Sequence, residues 1–235
     1  RPRAGKCADH GSPGIAMIPA GITTWVFDLD NTLYPAPVLY DEIGERMTAY
    51  IARTLGIETG AALELRERYF HEYGATIVGL VRHHAFDAAG FLRDVHDADH
   101  SVLMIDPELR GLIEQLPGRR IIHTNGGGGH AQRVLASLGL ADLFDTVFDI
   151  ESAGLSPKPQ RESYERLVHA CGFDPREAVL IEDSLRNLPP AHAMGFTTAL
   201  IGPDCPEPRP AYVDHAAHDL KALLRGWLGV ASLSQ

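Results

Sequence analysis

Cysteine is scarce in this chain. The 235 residues hold only Cys7, Cys171 and Cys205; the number is odd and no pair has CxxC spacing, so neither a disulfide framework nor a cysteine-bound zinc site is indicated. That usage fits a reducing compartment, and the sequence predicts a cytoplasmic protein. Long hydrophobic runs are missing as well. None approaches the roughly 20 apolar residues of a membrane helix, and Ile15-Ala16-Met17-Ile18 is too brief for the apolar core of a secretion signal. Positive charge is in short supply: 21 Lys and Arg stand against 31 Asp and Glu, for a formal net charge of -10. That is the wrong sign for a protein that grips nucleic acid by neutralising backbone phosphates. Residues 1–20 lack any apolar periodicity and are rich in Gly, Pro and small side chains, which predicts a mobile tail.

What is present suits a globular fold. Hydrophobic residues make up 45% and charged residues 22%, enough for one sizeable core with a smaller subdomain attached. Trp25-Val26-Phe27 reads as a strand. Pro35 and Pro37 break the backbone after it, and Leu39, Ile43, Met47, Ile51 and Leu55 then recur every four residues, an amphipathic helix that Gly56 can stop. Further helical patterns cover 61–73, 75–84 and 88–96. So much helix between two strands is too long for a simple connection. It predicts an inserted α-helical cap over 36–104, with the core made by 21–35 and 105–235. Asp106-Pro107-Glu108 is a helix start, with Asp as N-cap and Pro in the first helical position. Downstream, short apolar strands at 120–123, 146–148, 178–181 and 197–201 alternate with helices at 130–138, 162–171, 185–194 and 218–228. This alternation implies an α/β fold, a doubly wound, Rossmann-like parallel sheet.

Residues able to do chemistry fall at or after the predicted strand ends, where ligands bind in such sheets, except Lys158, which precedes its helix in a loop. Asp28 and Asp30 stand two residues apart where the first strand closes, so extended backbone would turn both toward one small site. Acids this close repel unless a cation or a division of protonation states separates them. Downstream come Ile121-Ile122-His123-Thr124-Asn125-Gly126, then Ser156-Pro157-Lys158-Pro159, then Val179-Leu180-Ile181-Glu182-Asp183-Ser184. In this order the segments resemble the four motifs (DxD, Thr or Ser, Lys, and an acidic pair) of the haloacid dehalogenase (HAD) superfamily of phosphohydrolases, over about residues 22–225. The resemblance implies Asp28 as nucleophile, forming an aspartyl phosphate, and Asp30 as general acid and then base. It also makes Thr124 and Lys158 catalytic and has Leu29, Asp30, Thr124, Asn125 and Lys158 hold the phosphate. Mg²⁺ is the implied cofactor, bound by Asp28, the Asp30 backbone carbonyl and Asp183. Glu182, which departs from the commoner Asp-Asp pair, is expected behind those ligands.

The implied substrate depends on the cap. Asp28-Leu29-Asp30-Asn31-Thr32-Leu33-Tyr34-Pro35 and Tyr73-Gly74-Ala75-Thr76-Ile77-Val78-Gly79-Leu80, followed by His83-His84 and Val95-His96-Asp97, look like the pyrimidine 5'-nucleotidase branch. That resemblance implies a small phosphorylated partner, a nucleoside monophosphate such as UMP or CMP, packed by cap residues near Tyr73 to His84. A phosphatase or phosphomutase acting on another metabolite, such as a sugar phosphate, stays open, as does an idle phosphate-binding regulator. A haloacid dehalogenase has no use for a general acid at Asp30 or a metal ligand at Asp183. Two features read as structure rather than chemistry. Gly126-Gly127-Gly128-Gly129 lacks the GxxxxGK[ST] arrangement and reads as a flexible loop; His83, His84, His96 and His100 lack HExxH spacing and read as polar cap surface. Segments 35–37 and 103–107 are the expected hinges.

Overall fold

The computed structural model describes residues 18–203 and 205–230; the tail expected over 1–20 lies outside the described residues apart from its last three positions. Strand β1 (Thr24–Phe27) is followed by four helices, α1 (Pro37–Leu55), α2 (Thr59–Tyr73), α3 (Thr76–His84) and α4 (Ala88–Val95). The chain continues through α5 (Pro107–Glu114), β2 (Arg119–His123), α6 (Gly128–Ser137), β3 (Thr146–Phe148), α7 (Arg161–Cys171) and β4 (Ala178–Glu182). It closes with α8 (Leu188–Met194), β5 (Thr197–Ile201), β6 (His215–Ala217) and α9 (Leu220–Leu228). All six strands pair in parallel in the order β3-β2-β1-β4-β5-β6.

The side-chain alternation of a strand divides the sheet between two apolar layers. Trp25, Phe27, Val179 and Ile181 face a core built with α5, α6 and α9, whereas Val26, Ile121 and Leu180 face a second core built with α7 and α8. With helices on both faces, β1 is buried along its whole length, as the middle of a doubly wound sheet must be. Helices α1 to α4 gather a third cluster around Ile51, Leu65, Tyr69, Leu80 and Phe91. Helix α1 spans both regions, because Leu39 and Ile43 near its start pack into the sheet's core. Where α2 meets α3 the fit is so close that a Cβ at Gly79 would lie 2.2 Å from Tyr69 Cγ.

Most elements match the pattern read from the sequence, and the differences have local causes. Asp106 caps α5 as its side chain accepts from the N–H groups of Glu108 and Leu109, both at 3.0 Å. Gly128 and Gly129 are not loop but open α6: the Gly128 N–H donates to Asp149 Oδ2 at 2.6 Å, and a Cβ there would sit 2.5 Å from that oxygen. The helix expected from Leu185 begins at Leu188 after a short 3-10 turn, since Pro189 and Pro190 have no N–H to give and fit only a first turn. Strand β6 escaped the sequence reading because three partly buried residues at the sheet edge carry no apolar run. Among the described residues, no helix is long and apolar enough to cross a membrane.

Candidate active site

The carboxyl ends of the three central strands meet at one point. Phe27 lies level with Ile122 on one side and Ile181 on the other, so Asp28 emerges beside Thr124 and Asp183 as each chain leaves the sheet. The Asp28 N–H stays tied to the Ile181 carbonyl at 2.9 Å. Lys158 arrives from the loop between β3 and α7, and Asn125 holds it there: the Asn125 amide donates to the Lys158 carbonyl at 3.0 Å and its oxygen accepts the Lys158 N–H at 2.8 Å. The Asn125 side chain thus serves to hold a loop, leaving its backbone to face a ligand. Leu29 is wholly buried in the core, so only its backbone can do so.

The Lys158 ammonium, 1% exposed, donates to Asp28 Oδ1 at 2.6 Å, to Glu182 Oε1 at 2.7 Å and to the His123 carbonyl at 2.8 Å. Burial works against its charge, but Asp28 and Glu182 outweigh that and hold its pKa above the usual lysine range. Burial pushes the Asp28 carboxyl well above the carboxylate range; Lys158 opposes this, while Glu182 and Asp30 add to it. Burial, then Glu182, pushes Asp183 up to about 6. Two carboxylates share the one ammonium and Asp183 stands beside them, so the surplus negative charge calls for a further cation. Oxygens of Asp28, Glu182 and Asp183 lie within 4.8 Å of one another, an all-oxygen set that fits a hard divalent ion. Glu182 is already engaged by protein donors, with Lys158 and the Asn187 amide on Oε1 and the Ser184 N–H on Oε2. Asp28 and Asp183 are the two that line the adjoining cavity of about 600 Å³.

Asp30 lines the same cavity. Its Oδ1 accepts from the Tyr34 hydroxyl and lies 3.1 Å from His130 Nε2. Burial pushes this carboxyl up, yet His130 and then Tyr34 overcome it and leave the net shift downward. Its Oδ2 faces the Gly126 turn and has no hydrogen-bond partner among the described residues. Thr124 Oγ1 accepts the Gly126 N–H at 2.9 Å, which leaves its own hydrogen free to donate outward. The Thr32 hydroxyl donates to Asp28 Oδ2 at 3.0 Å.

The structure therefore brings Asp28, Leu29, Asp30, Thr124, Asn125, Lys158, Glu182 and Asp183 together, and it corrects two expectations nearby. His96 and His100 are not polar surface: both are buried against His130, with the His96 and His130 rings stacked at 4.6 Å. Tyr73, His83 and His84 do not line the cavity. The Tyr73 hydroxyl pairs with His83 at 2.7 Å and that of Tyr69 with His84 at 2.9 Å. Of the segment expected to pack the substrate, 74–77 does line the cavity, and α1 and α2 add Met47, Arg66 and Phe70 to its cap side. Arg186 reaches over from the core to within 5.4 Å of the Phe70 ring. Sequence reasoning missed Tyr34 and His130. The signal for His130 was its place in the first turn of a helix that begins at the site's edge of the sheet.

Comparison with known proteins agrees with this geometry. The model of the haloacid dehalogenase-like hydrolase family matches residues 22–195. Phosphate metabolism protein 8 of Saccharomyces cerevisiae is 28% identical over 188 residues, which is 72% of this chain and 58% of the yeast protein, so the chain spans little more than half of that relative. (S)-2-haloacid dehalogenase of Xanthobacter autotrophicus is 25% identical over 182 residues, 75% of this chain and 70% of that enzyme. Among solved structures, the HAD phosphatase from Thermococcus onnurineus superposes with a TM-score of 0.57 at 23% identity, covering 88% of this chain and 98% of the other. Three strand-end motifs and a loop lysine on a parallel sheet of this order, matched by the family model over most of the chain, make it a member of the haloacid dehalogenase-like hydrolases.

Proposed function

We propose that this hydrolase is a phosphomonoester phosphatase, acting in the cytoplasm through an aspartyl phosphate on Asp28 and using Mg²⁺. The observation that carries the reading is the pairing of a buried carboxylate held by an ammonium at 2.6 Å with a second acid, Asp30, whose free oxygen faces the Thr124–Gly126 turn. Phosphoryl transfer needs an aligned nucleophile and positive charge about the phosphate oxygens. Asp28 attacks phosphorus, and the bond to the leaving oxygen breaks as Asp30, which must hold a proton in this step against the downward pull of His130 and Tyr34, gives that oxygen its proton. Asp30 then takes a proton from water, whose oxygen attacks phosphorus and releases inorganic phosphate and free Asp28. The Thr124 hydroxyl, the backbone N–H groups of Leu29 and Asn125, and Lys158 hold the phosphate oxygens. Asp28, the Asp30 carbonyl and Asp183 would hold the Mg²⁺, which supplies positive charge to phosphate and nucleophile.

Residues 36–104 serve in this reading as a cap that closes over a core of 21–35 and 105–235 and keeps water out during the first step. The substrate is a pyrimidine nucleoside 5'-monophosphate such as UMP or CMP. Phe70 and Met47 offer an apolar face to the base, and Arg66 and Arg186 offer donors to its polar edge or the sugar. The similarity to a dehalogenase raises a second reading, halide displacement by Asp28, but that reaction leaves Asp30 and Asp183 without a task.

A panel of UMP, CMP, sugar phosphates and a 2-haloacid, run with and without EDTA, tests this. Phosphate release is expected from the pyrimidine nucleotides first, abolished by EDTA and by Asp28→Asn. Equal turnover in EDTA removes the metal from the scheme, and indifference to UMP and CMP rejects the substrate class. Halide release with no phosphate release overturns the whole reading.

A further inference from the structure

Three histidines far apart in the sequence form one buried array that ends on Asp30. His130 Nε2 lies 3.1 Å from Asp30 Oδ1, and His130 Nδ1 lies 3.4 Å from His100 Nε2. The chain of contacts closes at backbone, with His100 Nδ1 2.7 Å from the Ala98 carbonyl. His96 stacks on His130 with 23° between the rings and is fixed through Nδ1 to the Leu92 carbonyl at 2.9 Å. All three rings are at most 7% exposed. A carbonyl accepts only, so His100 Nδ1 carries a hydrogen and that ring is fixed by backbone. His130 is held at one nitrogen by His100 and on one face by His96, so its other nitrogen has a single direction, onto Asp30 Oδ1. With Tyr34 on the same oxygen, the carboxyl cannot rotate freely and Oδ2 is left turned toward the Gly126 turn.

We infer that His130 is a positioning residue for Asp30, and that His96 and His100 set its orientation from the segment that follows α4. His96 and His100 lie between the four inserted helices and the core, whereas Asp30 follows the central strand β1 and His130 sits in the first turn of α6. The acid's aim is therefore tied to the seating of that helical segment on the core. The inference rests on the phosphatase reading, since it assigns Asp30 a proton to deliver.

Leaving-group chemistry separates this role from a merely structural one. An alkyl leaving group needs Asp30's proton, whereas p-nitrophenolate leaves without one, so formation of the aspartyl phosphate from p-nitrophenyl phosphate does not depend on the acid's aim. In His130→Ala, kcat on UMP, or on the best alkyl phosphomonoester of the panel above, is expected to fall about 10- to 100-fold, the usual range for losing an orienting partner, with KM within about threefold of wild type. The pre-steady-state burst of p-nitrophenol should stay within about threefold of wild type. His130→Gln, whose amide still reaches Asp30 with a donor, should recover part of the alkyl rate, and His100→Ala should show the same signature more weakly. An unchanged alkyl rate in His130→Ala overturns the inference. So does an equal loss of alkyl turnover and p-nitrophenol burst, or a Gln variant no better than Ala. If His130→Ala fails to fold, the Gln and His100 variants decide by the same ratio. A wild-type protein that releases no phosphate defeats the phosphatase reading instead, a result distinct from any of these.

Discussion

Lys158 sits between two carboxylates with almost no contact with water, and its removal strands both. Breaking a buried ion pair by deleting one partner typically costs about 3–5 kcal/mol, because the remaining charge has neither solvent nor counter-ion. Lys158→Met should therefore lose stability on that scale in urea melts as well as activity; a stability within error of wild type would mean the site is wetter than the structure indicates. His96 gives a pH prediction. Burial holds its pKa down at about 3, against about 6.5 for an exposed imidazole. Between those values the unfolded chain binds the proton and the folded chain does not, so stability rises with pH across that window and is lost as pH falls below about 6.5. His123, buried and also held low, acts in the same sense. At pH 5 His96 alone accounts for about 2 kcal/mol of that loss. His96→Gln should flatten the acid limb by that amount in denaturant melts at neutral pH and near pH 5, and an unchanged slope would contradict the burial.

Helices α2 and α3 touch backbone to ring at Gly79, and no larger residue fits without moving Tyr69. Alanine there gains helix propensity worth at most about 1 kcal/mol but overpacks an interface at a cost of about 1–3 kcal/mol. Gly79→Ala is expected to be net destabilising by chemical denaturation, and a neutral or stabilised variant would show the contact to be looser. The element scale is also where sequence reading did best. The four-residue spacing from Leu39 to Leu55 and the Asp106-Pro107 start both report local physics, side-chain periodicity and backbone capping, and both elements stand where they were expected. The second half of the tetraglycine stretch failed as a loop because its reason is tertiary: Gly128 is small to admit the Asp149 carboxylate, and nothing within ten residues announces that.

Across the whole molecule, the ends of β1, β2 and β4 and the loop before α7 converge to collect more negative than positive charge. A divalent ion would relieve that imbalance, and a proton on Asp183 competes with it. With Asp183 titrating at about 6, Mg²⁺ affinity should be flat above neutrality and fall about tenfold per unit as pH drops below that value, one proton displacing the ion. Titration calorimetry with MgCl₂ at pH 7.5 and pH 5 checks the sign; affinity that holds or strengthens on acidification would remove Asp183 from the metal site.

The sequence alone determined the α/β class and the order of most elements, because strand ends, caps and periodicity are written in neighbouring residues; Asp28, Thr124, Lys158 and Asp183 were joined as one cluster by resemblance to four motifs in a set order, not by any local pattern. What brings Lys158 within reach of a carboxylate 130 positions away is the Asn125 clamp, and what turns His96, His100 and His130 from scattered polar residues into a buried array is the packing of α4 and its following turn on α6. Those decisions belong to tertiary structure. Burial and hydrogen-bond partners set the charge and direction of a side chain, and both are properties of the folded surroundings that no local pattern encodes.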